Sequence, residues 1–239
     1  MRLDKYISTL TDLSRKDVKA ALKYGRVSVD GVPARDPAMQ VDERTATVTL
    51  DGAALMFKRH THIMMNKPAG VLTATEDRAQ KTVLDILPDS LRPRDLGPIG
   101  RLDKDTTGLL LLSTDGQLAH RLISPRHHVD KEYMARVDGV LDESDIEAFK
   151  AGIELSDFTA LPAGLEIVEP SLARVILREG KYHQVKRMLA SRGKPVLELK
   201  RVRMGAITLD DTLAPGQARE LTPDEARELY RCAGMEEDA

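Results

Sequence analysis

The 239-residue sequence has few aromatic residues and almost no cysteine. Phe, Tyr and Trp make up 3% of it, and tryptophan is absent. Cys232 is the only cysteine, which excludes a disulfide framework and a cysteine-based zinc site, so we expect a reducing, cytoplasmic compartment. No apolar run approaches the roughly 20 residues of a membrane span, and the N-terminus lacks the apolar segment of a signal peptide. We therefore expect a globular protein that does not bind a membrane.

The formal net charge of -2 conceals an uneven charge distribution. Residues 171–205 hold ten Lys and Arg against two Asp and Glu, whereas residues 206–239 hold three against nine. Residues 1–59 hold eleven against eight. Dense basic segments of this kind attract phosphate backbones, although an ordinary solvated surface is the alternative interpretation.

The first segment is typical of a small helix-turn-strand module. Ser14 and Asp17 have the spacing of a helix capping box, and Asp30-Gly31 predicts a two-residue hairpin turn. A basic helix side in this module would suit docking on the RNA backbone, while an ordinary amphipathic helix is the alternative. The basic residues concerned are Lys16, Lys19, Lys23 and Arg26.

Beyond a boundary that we place at residues 59 and 60, strands and helices mix without a repeating βαβ period. Strands are predicted at Ile63–Met65 (ended by Asn66-Lys67-Pro68), Gly108–Ser113, Met134–Val137 and Ala173–Leu177, and helical segments at Val83–Leu87, Tyr182–Ser191 and 222–232. The fold class is therefore α+β, with domains at residues 1–59 and 60–239. His60 and His62 lack a third ligand at a usual spacing, so no metal site is predicted.

A carboxylate pair stands directly before the most apolar predicted strand. Asp103 and Asp105 lie two residues apart in GRLDKDTTGLLLLS, so on an extended chain they would point the same way. A carboxylate held at the mouth of a buried strand can serve as a nucleophile or a general base. The alternative is that one or both only cap the turn.

Two further segments contain residues that could take part in catalysis or binding. Tyr133 begins a predicted strand, where its ring could stack on a flipped base or its phenol could transfer a proton, although a half-buried strand tyrosine is the commoner case. Gly180 precedes a predicted helix within the basic segment, an arrangement that favours phosphate, although a basic surface helix is the alternative. A cation from this helix could keep a buried aspartate ionised.

Taken together, these segments resemble the pseudouridine synthases, and SPRHHVDKEY at 124–133, GKYHQVKRM at 180–188 and LAPGQARELTPDE at 213–225 resemble the RsuA family in particular. GRLDKDTTGLLLLSTDG resembles the catalytic motif of these enzymes. MNKPAG, KEYMARV and EGKYHQVKRM resemble the accompanying motifs in the same order, and residues 2–31 resemble an S4-type RNA-binding domain. The resemblance implies a small S4-like (α-L) domain followed by a catalytic domain on a mixed, mainly antiparallel sheet flanked by helices.

The resemblance also implies roles for individual residues. Asp103 would be catalytic, Tyr133 would stack on the flipped base and act in a late proton transfer, and Lys186 would pair with Asp103. Arg101 would fill the stack that the uridine vacates, and Leu197 would form the apolar wall under the base. Further RNA contacts are expected from Lys181, His183, Gln184 and Arg187. Asp105 has no role in this match, so the paired-carboxylate hypothesis is set aside.

The function implied is the isomerisation of a uridine to pseudouridine in 16S ribosomal RNA, of the uridine-516 class, without cofactor or metal. The expected partner is ribosomal RNA, in an assembly intermediate of the small subunit, and the protein is expected to be a monomer. A uridine of 23S RNA is the alternative target. A non-catalytic S4-type assembly factor and an N-glycosidase that releases the base are alternatives from other functional classes.

Overall fold

The computed structural model describes residues 1–43, 45–55 and 60–235. They form two compact units, one within residues 1–59 and one from His60 onward. Lys58 and Arg59, which stand at the predicted boundary, lie outside the described residues, as do residues 236–239 at the end of the predicted second domain. No helix in the described ranges has both the length and the apolar character that crossing a membrane requires.

The N-terminal unit consists of two helices and a four-stranded antiparallel sheet. Helix α1 spans Leu3–Leu10 and helix α2 spans Arg15–Lys23. The strands are β1 Val27–Val29, β2 Val32–Pro33, β3 Val48–Leu50 and β4 Ala53–Leu55, in the order β2-β1-β3-β4. Their core includes Leu3, Ile7, Val18, Leu22, Val27 and Val48.

Local sequence explains the start of α2 and the first hairpin. The hydroxyl of Ser14 accepts the backbone N–H of Asp17, and the Asp17 carboxylate accepts the backbone N–H of Ser14, so the predicted capping box is confirmed. Asp30 and Gly31 both have positive φ and join paired strands β1 and β2, as predicted for a two-residue turn.

The second unit is built on one sheet of nine strands. The path through the sheet is β13-β5-β7-β11-β8-β10-β9, with β6 paired to β7 and β12 paired to β11. Among the strands of the described residues, only the β7–β11 pair is parallel, so the mixed, mainly antiparallel α+β architecture is confirmed. The strands are β5 His62–Lys67, β6 Gly97–Pro98, β7 Thr107–Ser113, β8 Lys131–Val137, β9 Gly164–Glu169, β10 Leu172–Leu177, β11 Val196–Met204, β12 Ile207–Thr208 and β13 Ala218–Glu220.

Helices cover both faces of this sheet, which explains why β7 is apolar without alternation. Leu109 and Leu111 pack in one core with residues of two of the helices, α3 Gly116–Ile123 and α6 Pro223–Cys232. Leu110 and Leu112 point into a second core with residues of α4 Glu143–Ala151 and α5 Gln184–Ser191. A strand buried on both sides needs apolar residues at every position.

Two predicted elements differ from the observed ones. Strand β5 does not end at Asn66, because Asn66 and Lys67 continue the pairing with β7 and are both buried. Val83–Leu87, predicted as a short helical turn, is a succession of turns that forms no helical element. The Asp85 carboxylate accepts the backbone N–H and the hydroxyl of Thr82, which holds this segment in a turn.

Candidate active site

Asp103 lies on a short loop that leads into β7 and is fixed on both sides. The hydroxyl of Thr73 donates to the carbonyl of Leu102 at 2.8 Å and accepts its backbone N–H at 3.2 Å. The backbone N–H of Thr106 donates to the carbonyl of Asp103 at 3.1 Å. The Asp103 side chain is 27% exposed, so its carboxylate is held at the surface of a rigid loop and is partly shielded from water.

A buried lysine organises the same loop from beneath. The Nζ atom of Lys67 donates to the carbonyl oxygens of Pro68, Asp103, Lys104 and Thr106 at 3.0–3.3 Å. Burial lowers the pKa of Lys67 to about 8, an effect that the charges of Asp105 and Asp103 partly offset. The ammonium group of Lys67 therefore fixes the backbone of the loop around Asp103 through these four hydrogen bonds.

The side chains of His183 and Lys186, at the start of α5, face the carboxylate of Asp103. Nε2 of His183 lies 3.3 Å from its Oδ1 atom, and Nζ of Lys186 lies 3.5 Å from its Oδ2 atom. Lys186 also donates to Oδ1 of Asp105 at 2.5 Å, which holds the pKa of Asp105 below its ordinary value. The two carboxylates thus share one ammonium group, and Asp103 is the less exposed of the pair.

A pocket opens beside Asp103 and combines polar and apolar walls. Tyr133 of β8 and Leu199 of β11 are both buried and line it, and Arg101 stands at the same opening. The phenol oxygen of Tyr133 makes no hydrogen bond with the part of the chain that the structure describes. A partly shielded carboxylate next to a cation, an aromatic ring and an apolar wall can attack or deprotonate a planar substrate held against that ring.

The comparisons with known proteins agree with this geometry. A family model described as RNA pseudouridylate synthase matches residues 61–191, more than half of the chain. The chain belongs to this family of synthases. A model of the S4 domain matches residues 1–45. The resemblance predicted from the sequence motifs is thereby confirmed, and we refer to the unit from His60 onward as the synthase unit.

Individual relatives cover almost the whole chain. An uncharacterized RNA pseudouridine synthase, YtzG of Bacillus subtilis, is 45% identical over 94% of this chain and 96% of its own length. Ribosomal small subunit pseudouridine synthase A of Escherichia coli K12 is 41% identical over 94% of this chain and 98% of its own. A crystal structure of a pseudouridylate synthase superposes with a TM-score of 0.68 at 33% identity, over 96% of this chain and 99% of the other.

The predicted wall residue of the synthase unit, Leu197, is wrong, and Leu199 lines the pocket in its place. Leu197 is 64% exposed and does not line the pocket, whereas Leu199 is buried and does. The pairing of β11 with β8 shifts register between Val196, which pairs with Val137, and Glu198, which pairs with Arg136, so Leu197 is an extra residue without a cross-strand partner. The sequence does not reveal that Leu197 is exposed, because a leucine at a register shift looks like any buried leucine of a strand.

Some side chains of the basic segment, residues 171–205, face the site, whereas others bind neighbouring parts of the protein. The Gln184 side chain is buried, donates to Glu179 at 2.5 Å and accepts the backbone N–H of Lys181. Gln184 therefore holds the start of α5 in place and is not exposed for the predicted contact with RNA. Arg187 forms an ion pair with Asp157. Lys181 is exposed and remains on the surface.

His183 has a geometry that the sequence did not indicate. It adopts a left-handed backbone conformation with φ +49° immediately before α5, which is uncommon for a residue other than glycine. Its ring stacks on the exposed ring of Tyr182, with centroids 3.8 Å apart. The strained position brings the imidazole to Asp103, whereas sequence reasoning assigned His183 to the RNA surface alone.

In the N-terminal unit the four predicted RNA-binding residues are exposed. Lys16, Lys19 and Lys23 lie on the side of α2 opposite its buried residues. Arg26 forms a bidentate pair with the Asp51 carboxylate, with Nε 2.7 Å from Oδ1, so its charge is partly neutralised within the protein. Within residues 1–43, 45–55 and 60–235, no group of three His, Cys, Asp or Glu side chains is arranged to hold a metal ion.

Proposed function

We propose that this protein converts a uridine of 16S ribosomal RNA, of the uridine-516 class, to pseudouridine during biogenesis of the small subunit. The observation that carries the catalytic part is the contact of Asp103 with His183 and Lys186 beside the ring of Tyr133. The choice of 16S RNA rests on relatives of 41–42% identity that are named ribosomal small subunit pseudouridine synthase A.

In the proposed reaction the C1′–N1 bond of uridine breaks and a C1′–C5 bond forms. C5 loses a proton and N1 gains one, so the product has the mass of the substrate. Asp103 supplies the carboxylate that attacks the ribose or removes its proton while the base departs. The contacts of its carboxylate with Nε2 of His183 at 3.3 Å and Nζ of Lys186 at 3.5 Å orient it at the pocket.

The pocket residues are proposed to hold the base while it is detached and turned. Tyr133 stacks on the uracil ring, and its phenol oxygen takes the proton that leaves C5 in the last step while its own hydroxyl proton is released towards N1. Leu199 forms the apolar wall under the base, and both side chains keep water away from the reacting atoms. Arg101 occupies the space that the flipped uridine leaves in the RNA stack.

The N-terminal unit is proposed to dock the RNA through the exposed lysines of α2, by contacts with phosphates that carry no sequence information. We expect a monomer that works in the cytoplasm, where it meets an assembly intermediate of the small subunit. Deletion of residues 1–59 should weaken RNA binding and its salt dependence while the synthase unit stays folded. Unfolding of the remaining chain would contradict the division into two domains.

The test is incubation of the full chain with small-subunit and large-subunit ribosomal RNA, followed by carbodiimide modification and primer extension. New pseudouridine in 16S RNA supports the proposal, and modification of 23S RNA alone moves the target to the large subunit. Asp103→Asn should abolish the product, whereas Asp105→Asn, the matched control, should keep it. An unchanged RNA mass excludes an N-glycosidase, and the absence of any product would favour a non-catalytic assembly factor.

A further inference from the structure

Arg201 is a buried arginine whose charge is uncompensated by the described residues. It lies in the middle of β11 and is 2% exposed. Its Nε atom donates to the carbonyl of Leu109 at 2.8 Å, but its Nη2 atom is shut off from solvent and has no hydrogen-bond partner. No carboxylate of the described chain pairs with it. A buried guanidinium without a counter-charge is unusual, because leaving a charge unpaired in the interior is costly.

A second buried cation lies close to Arg201. Lys131 begins β8, the strand that pairs with β11, and is 6% exposed. Its Nζ atom donates to the carbonyl of Val129 at 3.0 Å. Burial, reinforced by the charge of Arg201, lowers the pKa of Lys131 to about 8, so the ammonium form is retained at neutral pH. Two like charges are therefore held close together inside the protein, and the charge of Asp130 offsets only part of the effect on the pKa of Lys131.

Both side chains line a cavity of about 270 Å³, close to the lower end, about 300 Å³, of the usual range for ligand pockets. This cavity adjoins the pocket of Asp103, because Arg101 and Tyr133 line both. Its charged and aromatic walls are Arg101, Lys131, Tyr133, Glu179, Lys181 and Arg201. Cations outnumber carboxylates four to one in this set, and Glu179 already accepts hydrogen bonds from Leu161 and Gln184.

We propose that this cavity, named here the Lys131–Arg201 cavity, binds a phosphodiester group of the RNA strand next to the flipped uridine. The guanidinium and the ammonium group would donate charge-assisted hydrogen bonds to the phosphate oxygens, and the anion would supply the missing counter-charge. The inference rests on the proposed function for the nature of the strand. It adds a site that fixes the backbone while Asp103 and Tyr133 act on the sugar and the base.

Free phosphate could accept the same hydrogen bonds as a phosphodiester of the RNA, and the experiment distinguishes these two ligands. Binding is measured by NMR titration on the full-length Asp103→Asn protein, which removes turnover. The probes are the trinucleotide UpUpU, its uncharged methylphosphonate analogue and inorganic phosphate. We expect UpUpU to bind at least about tenfold more tightly than the analogue, because charge-assisted hydrogen bonds are strong. Inorganic phosphate should bind more weakly than UpUpU.

Variants locate the effect in the cavity. Arg201→Met and Lys131→Met, each added to Asp103→Asn, should abolish most of the preference for the charged strand. Arg227→Met makes the same chemical change at an exposed arginine of α6 and should keep the preference. Because Arg201 lacks a counter-charge, Arg201→Met should not lower the free energy of unfolding, and Lys131→Met provides a second test if it does.

The outcomes distinguish this proposal from the proposed function. Equal binding of UpUpU and its analogue, or a preference that survives both substitutions, would overturn the phosphodiester site. Inorganic phosphate that binds as tightly as UpUpU would make it a site for free phosphate and would equally overturn the strand assignment. Pseudouridine formation on ribosomal RNA is scored separately, so an enzyme that is inactive on 16S RNA but shows the preference would refute only the proposed function.

Discussion

The ammonium group of Lys186 lies 3.5 Å from Oδ2 of Asp103, and the same group is shared with the exposed carboxylate of Asp105. Lys186 comes from the first turn of α5, whereas Asp103 precedes β7. The two residues meet because α5 packs against the face of the sheet on which Leu110 and Leu112 lie. The shared cation allows the contributions of the two carboxylates to be separated by substitution.

Lys186→Met should lower kcat/KM by about 10–100-fold, because the carboxylate of Asp103 loses the ammonium group that contacts and orients it. Asp105→Asn should lower it by no more than about fivefold, since Asp105 is 75% exposed and exposed ion pairs contribute at most about 1 kcal/mol. Both are measured by the rate of pseudouridine formation on one RNA substrate. Equal losses in the two variants would contradict a special role for Asp103.

Tyr133→Phe should keep RNA affinity but lower turnover by about 10²-fold or more, because the ring remains while the phenol that takes part in proton transfer is removed. Tyr133→Leu should also weaken binding by about tenfold, since an aromatic ring no longer stacks on the base. Affinity and single-turnover rate are measured on the same RNA. If Tyr133→Phe turned over at the wild-type rate, Tyr133 would have no role in proton transfer and would only stack on the base.

Gly108→Ala should lower the free energy of unfolding by about 3 kcal/mol or prevent folding, because a Cβ there would lie 2.2 Å from the carbonyl oxygen of Arg201. The φ of +94° adds backbone strain for any other residue. Gly116→Ala is the matched control, since a Cβ at Gly116 meets nothing within 4 Å. Urea unfolding checks both, and a stable Gly108→Ala protein would refute the close approach of β7 and β11.

His62 should make the synthase unit sensitive to acid. Burial, with a smaller effect of His60, lowers the pKa of His62 from 6.5 to about 4. Between these values the unfolded chain binds a proton that the folded protein does not, so stability is complete above pH 6.5 and falls as the pH drops towards 4. The slope from this residue is up to about 1.4 kcal/mol per pH unit.

His62→Asn should remove that part of the slope in urea unfolding measured between pH 6.5 and pH 4, since the amide keeps a polar partner for the Ser113 hydroxyl but does not titrate. His120→Asn changes an exposed histidine of α3 and should leave the slope as it is. Parallel curves for wild type and His62→Asn would show that another group governs the acid response.

The basic side of α2 should contribute to RNA affinity in a salt-dependent way. Replacing Lys16, Lys19 and Lys23 together by Gln should lower the slope of log Kobs against log[salt] by about 0.7–0.9 for each phosphate that these lysines neutralise. Lys5→Gln removes an exposed lysine of α1 and serves as the control. Filter binding at several salt concentrations checks the slopes. An unchanged slope in the triple variant would move the docking surface elsewhere.

Sequence signals that span only a few residues predicted helix starts and buried strands correctly. Thr222 and Glu225 form the predicted capping box at the start of α6, as Ser14 and Asp17 do at α2. The run Gly108–Ser113 is the predicted buried strand, because four consecutive leucines leave no solvent-facing position. Local hydrogen bonding and unbroken apolarity are both visible without knowledge of the tertiary structure.

The features that the sequence did not predict depend on tertiary contacts. In β11 the charged residues suggest a solvated surface, but Arg201 is buried in a central strand of the sheet, where its Nε atom donates to the carbonyl of Leu109 in β7. Lys67 breaks the apolar pattern of β5, yet it is buried because carbonyl groups of the Asp103 loop, distant in sequence, receive its ammonium group. Leu197 is apolar and exposed because of a register shift.

The central strands have one further consequence. Arg201 pairs with Gly108 of β7 on one side and with Tyr133 of β8 on the other, so three residues distant in sequence stand in one row across the sheet. Hydrogen bonds between strands, and not the order in which the chain visits them, set the spacing of this row. The relative positions of Gly108, Tyr133 and Arg201 are therefore set by strand pairing in the sheet and not by the loops that connect the strands.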